Sequence, residues 1–317
     1  MTSDDAVTVP DTHCRADVVC FGMLTSALVI TVDELPARNT GALIKETCEF
    51  IGEDAANIAC ILSRWGVPTG HIGSTLGDDQ RGHLLDKRRQ EHGVLGTARF
   101  SQDLRTPHEI NISDPSGART FFWQRDPQTL RSLETADLSL LEGARLLYID
   151  WYDGDSLTRV MDRAIELGVP IFLNLEHGHE DASLLERYAP RTTICQVVTD
   201  EKQSGDIDPS AVARKLIDSG VETVLVTLAQ EGCLGMRHGE EVRAWAPEVK
   251  VVDCCCAGAV FSAGFIYGYL TNWNLLRSLQ FATTAASQSC ARCGPQVSSV
   301  SEIEALTQGT KVESVSG

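Results

Sequence analysis

The chain has 317 residues and a mass of 34.5 kDa, with 27 Lys and Arg against 44 Asp and Glu, a formal charge of −17. That balance excludes roles built on broad contact with nucleic acid or anionic membrane, which need a basic surface to displace counterions or meet lipid head groups. Small molecules or proteins are the expected partners, and 43% hydrophobic with 22% charged residues is an ordinary globular composition.

Residues 1–16 are polar and acidic, without the basic start and apolar middle of an export signal, and read as a disordered N-terminal tail. No run reaches about 18 uninterrupted apolar residues, so no membrane span is expected. The eleven cysteines are scattered without framework spacing, which points to a reducing, cytoplasmic setting. Three of them are consecutive: Cys254, Cys255 and Cys256.

Asp17 to Gly22 reads as a buried strand ending in a glycine turn. Ile44 to Phe50 alternates imperfectly, and Gly52 then introduces a small-residue helix, Ala55 to Leu62, ending near Gly66. His71 to Gly73 is extended, and Gly82 to His92 is helical. The run His108 to Ser113, the turn Asp114-Pro115-Ser116-Gly117 and the run Arg119 to Trp123 make a β-hairpin. With Ala27 to Val32 and Ala42 to Phe50 the hairpin is expected to form a small antiparallel lid. Leu146 to Asp150 is a strand. Leu157 to Leu167 is a helix closed by Gly168, and Val169 to Leu175 is the next strand. A helix over Ala211 to Ser219, a strand over Thr223 to Leu228 and a long helix from Gly258 to Leu270 complete the pattern. Repeated strand–helix units predict an open, mostly parallel sheet covered on both faces. The expected organisation is one α/β domain over 17–307, with lid segments near 27–50 and 106–125 and a frayed tail over 308–317.

Ligands of such sheets bind at the carboxyl ends of the strands. Four polar or glycine-rich turns fall there: Gly52 to Asn57, Gly77 to Gly82, Thr227 to Gly232, and Val251 to Gly264. Their order and spacing resemble the ribokinase-like, or PfkB, family of carbohydrate and nucleoside kinases, over about Asp17 to Gly294. Gly52 and Asn57 match the family's Gly-Gly-x-x-x-Asn turn, with Glu53 at the second glycine. Gly77-Asp78-Asp79-x-x-Gly82 matches, as does Val226-Thr227-Leu228 followed by Gly232. The late Asp-Thr-x-Gly-Ala-Gly-Asp signature is represented by Asp253-Cys254-Cys255-Cys256-Ala257-Gly258-Ala259. The resemblance implies a three-layer α/β sandwich with a β lid. It further implies ATP- and Mg²⁺-dependent phosphorylation of a sugar or nucleoside hydroxymethyl group, and a lid that offers a homodimer surface.

The departures bear on that activity. The family's general base falls at Ala259, and the Asp that holds sugar hydroxyls falls at Ala27. The Asn-x-x-Glu element that organises Mg²⁺ falls near Val198 to Gln203, without its Glu. Ala229 replaces a frequent glycine, and Glu53 adds a carboxylate where phosphates approach. A general base contributes about 10²–10⁴-fold, so its loss alone leaves a slow kinase, because phosphoryl transfer rests mainly on positioning and electrostatics. The combined losses predict a degenerate kinase, inactive or much weakened, that binds a small ligand or a partner. A repurposed enzyme with chemistry at Cys256, and an active sugar kinase with a relocated base, stand as alternatives.

The candidate ligand contacts are Gly52, Glu53, Asn57, Asn174, Glu176 and Arg119, the last reaching across the cleft with Arg125. The late turn feeds a helix N-terminus, which favours an anion, so Thr227, Gly232, Cys256, Ala257 and Gly258 form the candidate nucleotide site. Cys256 has two readings: a thiol with a depressed pKa at a helix N-terminus, or a small filler of a tight turn. Asp253 matches the first Asp of the signature and is expected to hold the turn rather than to act as a base. His177-Gly178-His179-Glu180 lacks a third ligand of defined geometry and reads as a solvated loop, so no metal site is assigned.

Overall fold

The computed structural model describes residues 15–153, 156–198 and 208–315. The first part of the chain forms β1 (Val18–Gly22), β2 (Thr25–Thr31), β3 (Glu46–Gly52), α1 (Asp54–Arg64), β4 (Thr69–Gly73), β5 (Leu76–Gly77) and α2 (Gln80–Glu91). β6 (Phe100–Ser101), β7 (His108–Ser113), β8 (Arg119–Gln124), α3 (Pro127–Arg131), β9 (Leu146–Asp150), α4 (Ser156–Glu166), β10 (Ile171–Glu176), α5 (Ala182–Tyr188) and β11 (Ile194–Val198) follow. The last part contains α6 (Pro209–Asp218), β12 (Thr223–Thr227), β13 (Cys233–Arg237), β14 (Glu240–Ala244), α7 (Ala257–Leu270), α8 (Leu275–Ser289), α9 (Val300–Leu306) and β15 (Val312–Val315).

Nine strands form the main sheet in the order β15-β14-β13-β12-β11-β10-β9-β1-β4. From β4 to β12 the pairing is parallel, and β1, β9 and β10 are accordingly buried on both faces and read as continuous apolar runs. One core lies under α1, α7 and α8, where Ile58, Leu62, Phe265, Ile266, Leu279 and Phe281 close on Tyr148 and Phe172. The other lies under α4, α5 and α6 around Leu157, Met161, Leu185 and Leu216. Full burial of each such side chain contributes about 1.5–3 kcal/mol. The polar edge of the sheet is carried by antiparallel β13, β14 and β15.

Two boundaries differ from the sequence expectation. Ala16 is buried, and the Asp17 and Val18 amides donate to the Pro68 carbonyl, so order begins before residue 17. Within the expected 308–317 tail, Val312–Val315 pairs with β14 as an edge strand. Its short Val-Glu-Ser-Val run has too little apolar character to stand out until a neighbour supplies the ladder.

The lid is a four-stranded sheet in the order β3-β2-β7-β8. It is mixed rather than antiparallel, because β2 and β7 run parallel, while β2 with β3 and β7 with β8 are antiparallel. The expected hairpin turn is present: the Gly117 amide donates to the Asp114 carbonyl at 3.0 Å and the Asp114 amide to Ala118 at 3.2 Å.

Candidate functional site

The cleft is built where β3 leaves the lid and enters α1. A Cβ at Gly52 would stand 3.1 Å from both Ala27 Cβ and Glu109 Oε1, so glycine is what lets the lid strands close over this turn. Glu53 follows with φ 72°, in the left-handed region, as the N-terminal boundary of α1. Its side chain is 5% exposed. Oε1 accepts from Arg125 at 2.6 Å and from the Thr25 hydroxyl at 3.2 Å, and Oε2 accepts from the Tyr152 hydroxyl at 3.3 Å. Burial pushes the Glu53 carboxyl up to about 7 even against Arg125. The carboxylate added at a glycine position is therefore built into the lid hinge. Asn57, one turn on, donates from Nδ2 to the Glu53 carbonyl at 2.9 Å and to Cys256 Sγ at 3.4 Å, tying α1 to the turn before α7.

Around Glu53 lie the expected Glu176 and three further acids that sequence reasoning did not single out, Asp54, Glu109 and Asp150. Asp54 is pushed up to about 8 by burial and then by Glu176, Glu53 and Glu109. Glu109, on β7, is buried and lies 3.6 Å from Arg125. Asp150, at the end of β9, accepts from the Tyr148 hydroxyl at 2.7 Å and from Asn174 Nδ2 at 3.0 Å. Asn174 is thus a buried connector, which also reaches Asp54 at 3.4 Å. Glu176, at the end of β10 with φ 44°, has its carboxyl raised by burial. The signal available in the sequence was the face of β7: Glu109, Asn111 and Ser113 are polar at alternate positions, and the structure buries all three against the domain.

The turn before α7 is held by Asp253. Its Oδ1 accepts from the Ser113 hydroxyl at 2.6 Å and the Cys255 amide at 2.9 Å, and Oδ2 accepts from the Gly294 amide at 2.9 Å. These bonds match the turn-holding role expected of Asp253. Cys256 has φ 62° and precedes the helix without capping it. A non-glycine residue in that conformation costs about 1–2 kcal/mol. Its thiol is raised, not depressed, first by the hydrogen bond with Cys255 and then by burial, with Asp54 and Glu109 adding to it. That direction runs against a depressed-pKa thiol at Cys256, with the neighbouring thiol and burial as the main causes ahead of the acids. Ala259, on the first turn of α7, is fully buried among apolar neighbours. A Cβ at Gly258 would meet nothing within 4 Å, and no side chain caps the first turn; the Ala257 amide donates to the Cys254 carbonyl at 3.3 Å, which leaves the Gly258 amide to face an anion.

The remaining candidates separate. The Thr227 hydroxyl donates to the Val197 carbonyl at 3.2 Å. Gly232 has φ 94°, and a Cβ there would collide with the Ala244 carbonyl, so the β12–β13 turn demands glycine whether or not a phosphate binds. Arg119 is exposed, donates to the Cys254 carbonyl at 3.4 Å and lies over the Phe121 ring, clasping the lid tip to the turn. His177 is exposed, whereas Gly178 and His179 are buried and burial lowers the His179 pKa, so the loop is only partly solvated. Among the described residues no group of three or more His, Cys, Asp and Glu is arranged to hold a metal ion. Most of the expected Mg²⁺-organising segment, from residue 199 on, lies outside the described residues.

Comparison with known proteins agrees with this architecture. The family model for pfkB family carbohydrate kinases matches residues 15–302. The chain is 25% identical over 282 residues to acarbose 7(IV)-phosphotransferase of Actinoplanes, covering 87% of this chain and 92% of that protein. Among solved structures it is similar to a ribokinase from Thermotoga maritima, with a TM-score of 0.74 and 21% identity over 92% of this chain and 99% of that one. A putative ribokinase from Agrobacterium tumefaciens superposes with a TM-score of 0.78 at 19% identity, covering 93% and 98%. The chain belongs to the pfkB family of carbohydrate kinases.

Proposed function

We propose that this member of the pfkB family is a much weakened kinase whose cleft still holds a small sugar- or nucleoside-like ligand beneath the lid. The observation that carries the reading is Ala259. It places a buried methyl group at the position corresponding to the general base. Asp253 is no substitute, because both its oxygens are engaged in holding the turn. The first turn of α7 fits an anion such as a nucleotide phosphate, with the Gly258 amide as a donor and the Ala257 amide donating at 3.3 Å to the Cys254 carbonyl, and ATP bound there would supply the phosphoryl group. The segment expected to organise Mg²⁺ lies from residue 199 on outside the described residues. A reduced, cytoplasmic setting fits the ten described cysteines, all free thiols. The exposed Phe122 and Trp123 on the edge strand β8 support self-association through the lid.

The test is a thermal-shift screen of sugars, nucleosides and nucleotides beside a coupled ATP-turnover assay. Stabilisation by a ligand without turnover is the expected result. Robust turnover with any of them overturns the reading. One observation favours the relocated-base alternative: Asp54 is raised to about 8 and acts electrostatically on Cys256 at the turn before α7, and a general base works best near the operating pH. Turnover abolished by Asp54→Asn would establish that alternative.

A further inference from the structure

The acidic wall of the cleft is out of balance with its counterions. Asp54 lies within electrostatic reach of three other carboxylates, Glu53, Glu109 and Glu176, and Glu53 and Glu109 act on one another as well. Among the described residues two guanidinium groups answer these four. Arg125 pairs with Glu53 at 2.6 Å and Glu109 at 3.6 Å. Arg119 acts on Asp54 and Glu176 from its place at the lid tip. Among the described residues no basic side chain pairs with Asp54, whose one described hydrogen bond is the 3.4 Å contact from Asn174.

An independent observation points the same way. Asn111 is fully buried on the cleft-facing side of β7, with Nδ2 donating to Glu109 Oε1 at 3.2 Å and to Cys255 Sγ at 3.3 Å. Its Oδ1 is buried with no hydrogen-bond partner among the described residues. Rotating the amide to satisfy that position would turn an oxygen onto the Glu109 carboxylate, so the orientation stands. An orphaned acceptor beside a surplus of acceptors calls for a donor-rich group. The acids do not converge as metal ligands, which leaves an organic cation.

We propose, resting on the reading that this cleft holds a small ligand, that the ligand carries an amino group: an amino-substituted sugar or polyol whose ammonium is received by Asp54 and Glu109. An ammonium presents three donors and a compact charge, which suits separated carboxylates better than a planar guanidinium or a bare metal ion would.

The experiment is calorimetric titration of the full chain with glucosamine and galactosamine, against glucose, galactose and N-acetylglucosamine, which keeps the nitrogen but removes its charge. The expected result is that an amino sugar binds about tenfold or more tighter than its neutral counterparts, as fits truncation of one partner of a buried charge pair. Asp54→Asn and Glu109→Gln are each expected to shrink that difference, with circular dichroism confirming that the variants fold. Equal or tighter binding of the neutral sugars overturns the charge assignment and leaves the ligand-binding reading standing. Binding of neither series overturns both. A response to magnesium or calcium chloride alone assigns the wall to a metal ion and overturns the proposal.

Discussion

Replacing Asp253 by Ala tests whether the signature aspartate is a structural clamp. In the native chain it accepts three hydrogen bonds at 2.6, 2.9 and 2.9 Å from Ser113, Cys255 and Gly294. Those donors belong to the lid, the turn before α7 and the loop after α8. Hydrogen bonds to a charged group contribute about 1.5–3 kcal/mol each, but the three act as one unit and do not add in full. Two buried amides and a hydroxyl lose their acceptor in Asp253→Ala, so a loss of about 3–5 kcal/mol is expected, at the upper end for a single substitution. Asp253→Asn keeps one oxygen and should lose roughly half as much. Urea denaturation followed by fluorescence and circular dichroism measures both. An Asp253→Ala protein within about 1 kcal/mol of the parent would refute the clamp and return the residue to a role in ligand chemistry.

Three further outcomes follow from the cleft. Glu53 and Asp54, raised to about 7 and 8, bind more protons folded than unfolded, so their contribution is complete below the unfolded carboxylate range and is lost as pH rises through 7 and 8. His71, lowered to about 3 by burial, acts in the opposite sense between about 3 and 6.5. Stability should therefore fall between pH 6.5 and 8, and Asp54→Asn should flatten the fall in thermal melts; a profile that rises across that window contradicts the burial of these acids. Arg125→Ala leaves Glu53 and Glu109 without their cation and should cost about 1–3 kcal/mol, with Glu53→Gln in the same chain recovering part of the loss by denaturant titration. Alkylation at neutral pH should be slow at Cys256, whose thiol is raised by Cys255 and burial; mass spectrometry showing fast, selective labelling there would restore the nucleophile.

The layers of the domain were legible because their elements carry their own periodicity. The apolar run into Gly22, the Ala-rich stretch after Gly52 and the strand Leu146 to Asp150 each satisfy a local rule and fold as read. The parallel pairing of β2 with β7 was not legible, since the partners are far apart in sequence and either direction suits the same alternation. The site divides along the same line. Asn57, Glu53 and the turn at Cys256 were found because a turn must lie at a strand's end. Asp54, Glu109 and Asp150 were not, because a carboxylate on a strand or in a first helical turn looks solvent-directed until the lid closes over it. Strain was partly visible: Cys256 stands at a signature glycine, and its φ of 62° is the left-handed value that glycine would serve.

The distribution of charge also decides between holding and transferring a phosphate. The chain has methyl groups at 27 and 259 and carboxylates at 53, 54 and 109, so the negative charge of this cleft lies on its α1 and lid side and not on the first turn of α7. A helix N-terminus favours an anion by about 0.3–1 kcal/mol. A carboxylate about 4 Å from a phosphate charge opposes it by about 4 kcal/mol at an effective dielectric of 20. The acidic wall therefore governs the sign, unless its members are protonated or neutralised. Burial already holds Glu53 and Asp54 near the point of protonation at neutral pH, and a bound cation would neutralise what remains. Anion affinity at α7 should thus rise when the acidic wall is filled, so that the two ends of the cleft are coupled through charge and through Asn57, which touches both.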